Sequence, residues 1–322
     1  MMQLCPFLFR SSPAIPETDF SGTIVEIGTE ILSSGRDISP GTPIFGSVLV
    51  GPHLTTGTGV LAEYVVVDVN SVCRKPEKAS FEEAAGLAVS GCAALALMDK
   101  AGLKRGDSVL INGASGNVGH LVLQMARDAV GESGRVTAIC SRRNAEMVRS
   151  LGADEVRCYN LQLKSHETDI DQVIDYQLHS PVHEYLTHNY SNPRFDVIID
   201  ACGIQELYTH CAGYLAPGKP FVSVGIAFKS YTYSSVLYAL FLMARNILVP
   251  RFLGGGAAPY IVVSGFVTLE GMEKLAAMVD EGKLKVMVDS CWDIEDAVQA
   301  YEVILSKRTH GKVIIAVQAH DG

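Results

Sequence analysis

VLINGASGNVGHLVLQMAR, residues 109–127, is the stretch that decides the fold. An apolar run, SVLIN at 108–112, leads into Gly113, Gly116 and Gly119. Behind the glycines, Val118, Leu121, Val122, Met125 and Ala126 recur at i, i+3, i+4, i+7 and i+8, the spacing of one helix face. Strand, glycine turn and helix therefore follow in the order a dinucleotide site requires. The spelling is A-x-G-x-x-G, with Ala114 at the first position. A plain tight turn is the competing reading. The phosphate reading needs backbone N–H groups and the positive end of the helix dipole against a pyrophosphate, and a side chain on Gly116 would obstruct that approach.

Outward from this stretch, apolar segments alternate with helical ones. RVTAIC (135–140), FDVIID (195–200) and PFVSVG (220–225) each follow a helical stretch, the pattern of a parallel sheet with crossovers. Which dinucleotide fits depends on the end of the second strand. An acid there would bind a ribose hydroxyl, but RVTAIC runs into Ser141, Arg142 and Arg143. A guanidinium attracts a 2'-phosphate. Charge-assisted hydrogen bonds contribute about 1.5–3 kcal/mol each, and a tenfold preference needs about 1.4, so two contacts would select NADPH over NADH. Two solvated arginines after a strand are the alternative.

From residue 20 to 80, short apolar runs broken by Gly and Pro (SGTIVEIG, PGTPIFGSVLVG, LAEYVVVDV) predict strands of a barrel-like module. EEAAGLAVSGCAALALMDKAGL reads as helical. Near the C-terminus, Met272, Leu275, Ala276 and Val279 share one helical face. Ile294, Ala297, Val298, Tyr301 and Leu305 share another, with Asp293 as its N-cap and KVIIAV as a closing strand. The expected division is 1–85, 86–250 and 251–322.

A chain of 322 residues, 48% hydrophobic and 19% charged, is long enough for more than one core. Its net charge of -9, with no long run among the 26 basic residues, argues against a nucleic-acid partner and leaves small molecules or proteins, with a small-molecule substrate expected. Cys5, Cys73, Cys92, Cys140, Cys158, Cys202, Cys211 and Cys291 include no Cys-x-x-Cys pair, which points to a reducing compartment, taken as the cytoplasm. The run SSVLYALFLMARNILVP is too short and too interrupted by Arg245 to span a membrane, and predicts a buried helix or interface strand.

Several motifs in order resemble the medium-chain dehydrogenase/reductases, within them the zinc-free quinone oxidoreductase and enoyl reductase branch, with phrasing like its fungal members. They are PAIPETDFSGTIVEIG, GVLAEYVVV, KAGLKRGDSVLINGASGNVG, RSLGADEV, FDVIIDACG and GKLKVMVDSCWDIEDAVQAYEVILSKRTHGKVIIAV, together covering most of the chain. The resemblance implies an α/β fold, a Rossmann doubly wound parallel sheet inserted in a GroES-like β-barrel catalytic domain. It also implies a homodimer through the Rossmann sheet. Residue by residue it places Ser115, Gly116, Asn117 and Val118 at the pyrophosphate and Ser141, Arg142 and Arg143 at the 2'-phosphate of NADPH. Tyr176 falls near the adenosine phosphate, Ala201, Cys202, Gly203, Val224 and Gly225 along the nicotinamide half, and Phe252, Leu253 and Lys312 on the C-terminal arm. Val224 and Cys202 read equally as strand-end core residues, and Lys312 as a surface charge.

Where zinc-dependent members carry Gly-His-Glu, this chain has Asp19, Phe20, Ser21 and Gly22, and no set of spacings gathers tetrahedral ligands. His53 is the one histidine with a candidate substrate contact. Without a Lewis acid, the expected chemistry is hydride transfer to a quinone or an enone or enoyl alkene, with a polyketide enone as one substrate class. No residue is assigned as proton donor, and Tyr64 reads as a packed strand residue. The alternatives are an NADPH-binding protein impaired in catalysis and, last, a zinc alcohol dehydrogenase.

Three departures bear on activity. The family's first strands are not seen before PAIPETDFSG, so the barrel is expected to be truncated. Ala93 stands where a threonine is usual. GADEVIDY is split between Val156 and Val173 by RCYNLQLKSHETDIDQ, an expected insertion at 157–172 ascribed to translated intron or a gene-model artefact, which loop-closure entropy tolerates.

Overall fold

The computed structural model describes residues 14–29, 37–48, 51, 53, 56–154, 174–175, 181–228, 230, 232–249, 253–306 and 308–317. The 157–172 segment, Tyr176 and Phe252 lie outside them. Contacts divide the chain into two compact units, Met1–Ala93 with Gly265–Gly322, and Ala94–Ser264.

The first unit begins with β1 (Asp19–Thr23), β2 (Pro43–Ser47) and β3 (Val72–Arg74), an antiparallel sheet in that order. The stretch 61–68, expected as a strand, is irregular, with Tyr64 and Val66 exposed. Its end is taken by local chemistry: the Asp68 carboxylate accepts the Asn70 N–H at 2.8 Å and opens a turn at Val69–Ser71. A short helix, Phe81–Ala85, starts in a capping box. Ser80 accepts from the Glu83 N–H, and the Glu83 carboxylate accepts from the Ser80 N–H.

The helix Ala88–Ala101 leads into the second unit, where β4 (Ser108–Asn112), β5 (Arg135–Cys140), β6 (Ile174–Asp175), β7 (Val197–Asp200), β8 (Phe221–Ser223) and β9 (Tyr260–Val262) form one sheet. It is parallel throughout, in the order β6-β5-β4-β7-β8-β9. This is the doubly wound arrangement the alternating segments predict. The runs VLI of β4 and VII of β7 are wholly buried, as strands covered on both faces must be. Leu110, Ile198, Phe195, Phe221, Tyr208 and Tyr214 anchor the core. The Tyr208 hydroxyl is satisfied by the Ala258 carbonyl at 2.9 Å, and burial pushes the phenol up to about 12.

The run expected to be buried near residue 240 is the helix Tyr233–Leu248, capped by the Thr232 hydroxyl. Within it only Ala239 and Asn246 are buried, while Tyr233, Leu237, Leu240, Phe241 and Leu248 are each more than half exposed. No helix among the described residues is long and apolar enough to cross a membrane.

The chain then returns to the first unit with the helix Leu269–Asp280, β10 (Val288–Asp293), the helix Ala297–Leu305 and β11 (Lys312–Ala316), which pairs with β10 in parallel. Met272, Leu275 and Val279 are buried as their spacing predicts. The last helix is rotated from expectation: Ala300 is its buried residue, whereas Val298 and Leu305 are exposed. Asp293 precedes a 3-10 turn over Ile294–Asp296 and makes no side-chain cap bond, and the helix itself begins at Ala297.

Candidate cofactor-binding site

Strand order reverses at β4. The chain steps from β4 to β5 and β6 on one side, then to β7, β8 and β9 on the other. Ligands of such sheets bind at the carboxyl ends beside this reversal. There Asn112, Asp200 and Ser223 are in register on adjacent strands, and all three are buried. The Asp200 carboxylate accepts from Asn112 Nδ2 at 2.8 Å and from the backbone N–H groups of Cys202, Gly203 and Ile204 at 3.0, 2.9 and 2.8 Å. Burial raises the Asp200 carboxyl, and these donors, Asn112 first, oppose the rise. Each donor left unpaired by loss of this carboxylate would cost about 1–3 kcal/mol.

The glycine turn leaves β4 with the N–H groups of Gly113 and Ala114 both on the Ile139 carbonyl at 3.1 Å. Gly113 has φ +74°, and Gly119 is packed so closely that a Cβ would lie 2.0 Å from the Gly113 oxygen. Gly116 differs. A Cβ there would meet only the Gly113 oxygen, at 3.3 Å, so a side chain would stand in otherwise open space beside the turn. The helix Gly119–Val130 begins at Val118 without a side-chain cap. Among the described residues, the N–H groups of Ser115, Asn117 and Val118 have no hydrogen-bond partner. An uncapped helix start with unpaired N–H groups is chemically an anion site.

At the end of β5, Ser141 is buried, and Arg142 and Arg143 stand exposed on a 3-10 turn closed by buried Asn144. Asn144 Nδ2 donates to Ser115 Oγ at 2.9 Å, tying this turn to the glycine turn. The structure thus gathers Ser115, Gly116, Asn117, Val118, Ser141, Arg142 and Arg143 around the carboxyl ends of β4 and β5.

Beyond β7, the Ala201 N–H reaches the Asn112 carbonyl at 3.0 Å, and Gly203 has φ +76° with no room for a Cβ against the backbone of Gly225 and Ala227. The Val224 N–H donates to the Asp200 carbonyl, and Gly225 is held through the Ser223 hydroxyl. Cys202 is exposed as a residue, but its sulfur turns onto Gly113, where a Cβ would come within 2.2 Å of it. Burial of that sulfur, then the Asp200 charge, pushes the thiol up to about 12. Ala201, Cys202, Gly203, Val224 and Gly225 therefore share one end of the sheet.

Leu253 is exposed in the second unit. Lys312 sits in the first, its Nζ 3.6 Å from Asp19 Oδ2 with both side chains largely buried, so it is an ion-pair partner rather than a surface charge. His53 is buried, its Nδ1 3.0 Å from the Thr58 carbonyl. Asn112, Asp200, Ser223 and Asn144 escaped the sequence reading, although the first three are legible as polar residues closing apolar strands.

A family model described as zinc-binding dehydrogenase matches residues 168–315. The trans-enoyl reductase poxH of Penicillium oxalicum is 34% identical, over 94% of this chain and 79% of its own. The medium chain reductase pydE of an Acremonium species is also 34% identical, over 98% and 85%. Among solved structures, the quinone oxidoreductase from Coxiella burnetii superimposes with a TM-score of 0.69 at 23% identity, over 94% of this chain and 80% of that one.

Two outcomes follow from this geometry. Gly119→Ala forces the turn and helix apart and lowers stability by about 1–3 kcal/mol, read as a drop in Tm; an unchanged Tm would contradict the close approach. Cys202, despite its exposure, is alkylated at pH 8 far more slowly than a free thiol of ordinary pKa, read by mass spectrometry of its peptide. Labelling at the ordinary rate would place its sulfur in solvent.

Proposed function

Since the chain belongs to the medium-chain dehydrogenase/reductase superfamily, and is therefore an oxidoreductase using a nicotinamide cofactor, we propose that it is an NADPH-dependent, zinc-independent reductase of a quinone or of an alkene conjugated to a carbonyl. The observation that carries the cofactor half is the pairing of an uncapped glycine turn with a neighbouring turn bearing Arg142 and Arg143 and no acid. Ser115, Asn117 and Val118 would hold the pyrophosphate through unpaired N–H groups, and the two arginines the 2'-phosphate. Ala201, Cys202, Gly203, Val224 and Gly225 would carry the nicotinamide on a loop fixed by Asp200. When bound, NADPH supplies the hydride; the chain binds, orients and excludes water.

The reading is zinc-independent, although the matching family is described as zinc-binding. Among the described residues no group of three or more His, Cys, Asp or Glu could converge on an ion, and Asp19 is engaged by Lys312 and the Val89 N–H. The fungal relative named a trans-enoyl reductase favours an enoyl acceptor, and the setting we propose for it is fungal secondary metabolism. Free thiols at Cys92, Cys202, Cys211 and Cys291 support a reducing compartment such as the cytoplasm.

The partner proposed for the exposed helix Tyr233–Leu248 is a second copy of the chain. Tyr233, Leu237, Leu240, Phe241 and Leu248 fall at i, i+4, i+7, i+8 and i+15, one continuous stripe. Arg245 is the helix's only charged residue, so the stripe is self-complementary, as a two-fold interface requires. With neighbouring Tyr238 and Ile247, such a stripe approaches in order of magnitude the roughly 800 Å² per partner of a stable dimer.

Mixed with a panel of enones, enoyl thioesters and quinones, the protein is expected to consume NADPH at 340 nm with at least one acceptor. Binding without consumption by any of them would leave only a cofactor-binding protein. Arg142→Ala with Arg143→Ala should cost NADPH about tenfold or more in affinity and NADH little, the scale of charge-assisted hydrogen bonds. In sedimentation velocity the wild type is expected to run as a dimer and Phe241→Glu as a monomer; a monomeric wild type would overturn the partner assignment.

A further inference from the structure

Asn144 closes the arginine-bearing turn at the end of β5, yet its side chain points back into the protein. The residue is 6% exposed, its N–H donates to the Ser141 carbonyl at 2.9 Å, and its Nδ2 donates to Ser115 Oγ at 2.9 Å. Ser115 is 8% exposed and belongs to the glycine turn at the end of β4. The two turns leave neighbouring strands, paired at Asn112 and Ile139, and this is the side-chain bond between them that joins one phosphate-binding element to the other.

A carboxamide nitrogen can only donate, so Ser115 Oγ is the acceptor of this bond and its own hydrogen must point elsewhere. Among the described residues that hydrogen finds no acceptor. Asn144 therefore orients the Ser115 hydroxyl as a donor toward whatever anion the turn receives. It also fixes the height of the Arg142–Asn144 turn relative to the glycine turn. A ligand carrying two phosphate groups at a set separation gains from both anchors only if their spacing is held in advance, because the second contact then forms at high effective concentration.

We propose that Asn144 is a positioning residue that couples the pyrophosphate and 2'-phosphate anchors and thereby sets the preference for NADPH over NADH. The proposal rests on the NADPH reading above. It touches neither phosphate itself; it acts through Ser115 and through the turn carrying the arginines.

The test measures dissociation constants of NADPH and NADH by titration calorimetry for wild type, Asn144→Ala, Ser115→Ala and the double variant, with Tm recorded for each. Asn144→Ala is expected to weaken NADPH by about five- to tenfold more than it weakens NADH, the scale of one buried neutral hydrogen bond. In the double variant the NADPH-to-NADH ratio should be no lower than in the more impaired single variant, because one bond cannot be lost twice. Should Asn144→Ala not fold, Ser115→Ala removes the same bond from its other end and carries the same ratio measurement. A purely structural Asn144 would weaken both cofactors equally, and that result overturns the proposal. A wild type without preference for NADPH overturns the underlying reading and the proposal with it, and is recognised before any substitution is made. A preference retained in wild type and in both single variants overturns the coupling alone.

Discussion

The second unit depends on one buried carboxylate. Asp200 ends β7 at the point where strand order reverses, and there it gathers the Asn112 amide from β4 and three successive backbone N–H groups from its own following loop. A parallel sheet leaves its carboxyl-end loops without ladder partners, so something else must satisfy their N–H groups. Asp200 does so for Cys202, Gly203 and Ile204 at once. The same contacts shape the loop into a fixed bend, which Gly203 permits at φ +76°. Desolvation opposes the charge, and the converging donors offset it, so removing either side leaves the other buried and unsatisfied.

This arrangement also explains why the glycines differ in purpose. Gly113 and Gly119 are needed by the protein itself: one takes a left-handed conformation beneath the Cys202 sulfur, the other touches the Gly113 oxygen. Gly116 has no such constraint on most sides, and its bareness leaves space rather than filling it. A turn built only for tightness would not need the third vacancy. The two functions proposed for the fingerprint, close packing and close approach, thus reside on separate residues of the same seven-residue span.

Much of this was legible in the sequence because it is local. The strand SVLIN, the glycine spacing and the helical periodicity each require only a few neighbouring residues, and the parallel sheet follows from their alternation. Tyr64 shows where local reading stops: LAEYVVVDV alternates like a strand, but a strand needs a partner, and the Asp68 carboxylate diverts the chain into a turn instead. Val298 and Leu305 share a helix face with Ala297 and Tyr301, but periodicity says only which residues share a face, not how far neighbouring elements cover it. The link between Asn144 and Ser115 was invisible because it joins residues 29 apart in sequence. The exposed stripe on Tyr233–Leu248 escaped as well: an apolar run carries no label saying whether its own chain covers it.

The groups fixed at the carboxyl end of the sheet also constrain which acceptors the proposed reductase can take. Asp200 is held by four donors, Ser223 donates to the Gly225 carbonyl, and the Cys202 thiol is kept protonated by burial and by the adjacent carboxylate. That thiol is thereby withdrawn from proton exchange near neutral pH. Proton transfer concerted with hydride delivery would need a group titrating near the working pH. An unactivated ketone, which develops a localised alkoxide, gains no proton from Cys202. A quinone or conjugated enoyl group spreads the incoming negative charge over its own framework, and its proton can arrive later from water. The chemistry left to the chain is then orientation and exclusion, which is what a loop fixed by hydrogen bonds and the two proposed phosphate anchors would supply.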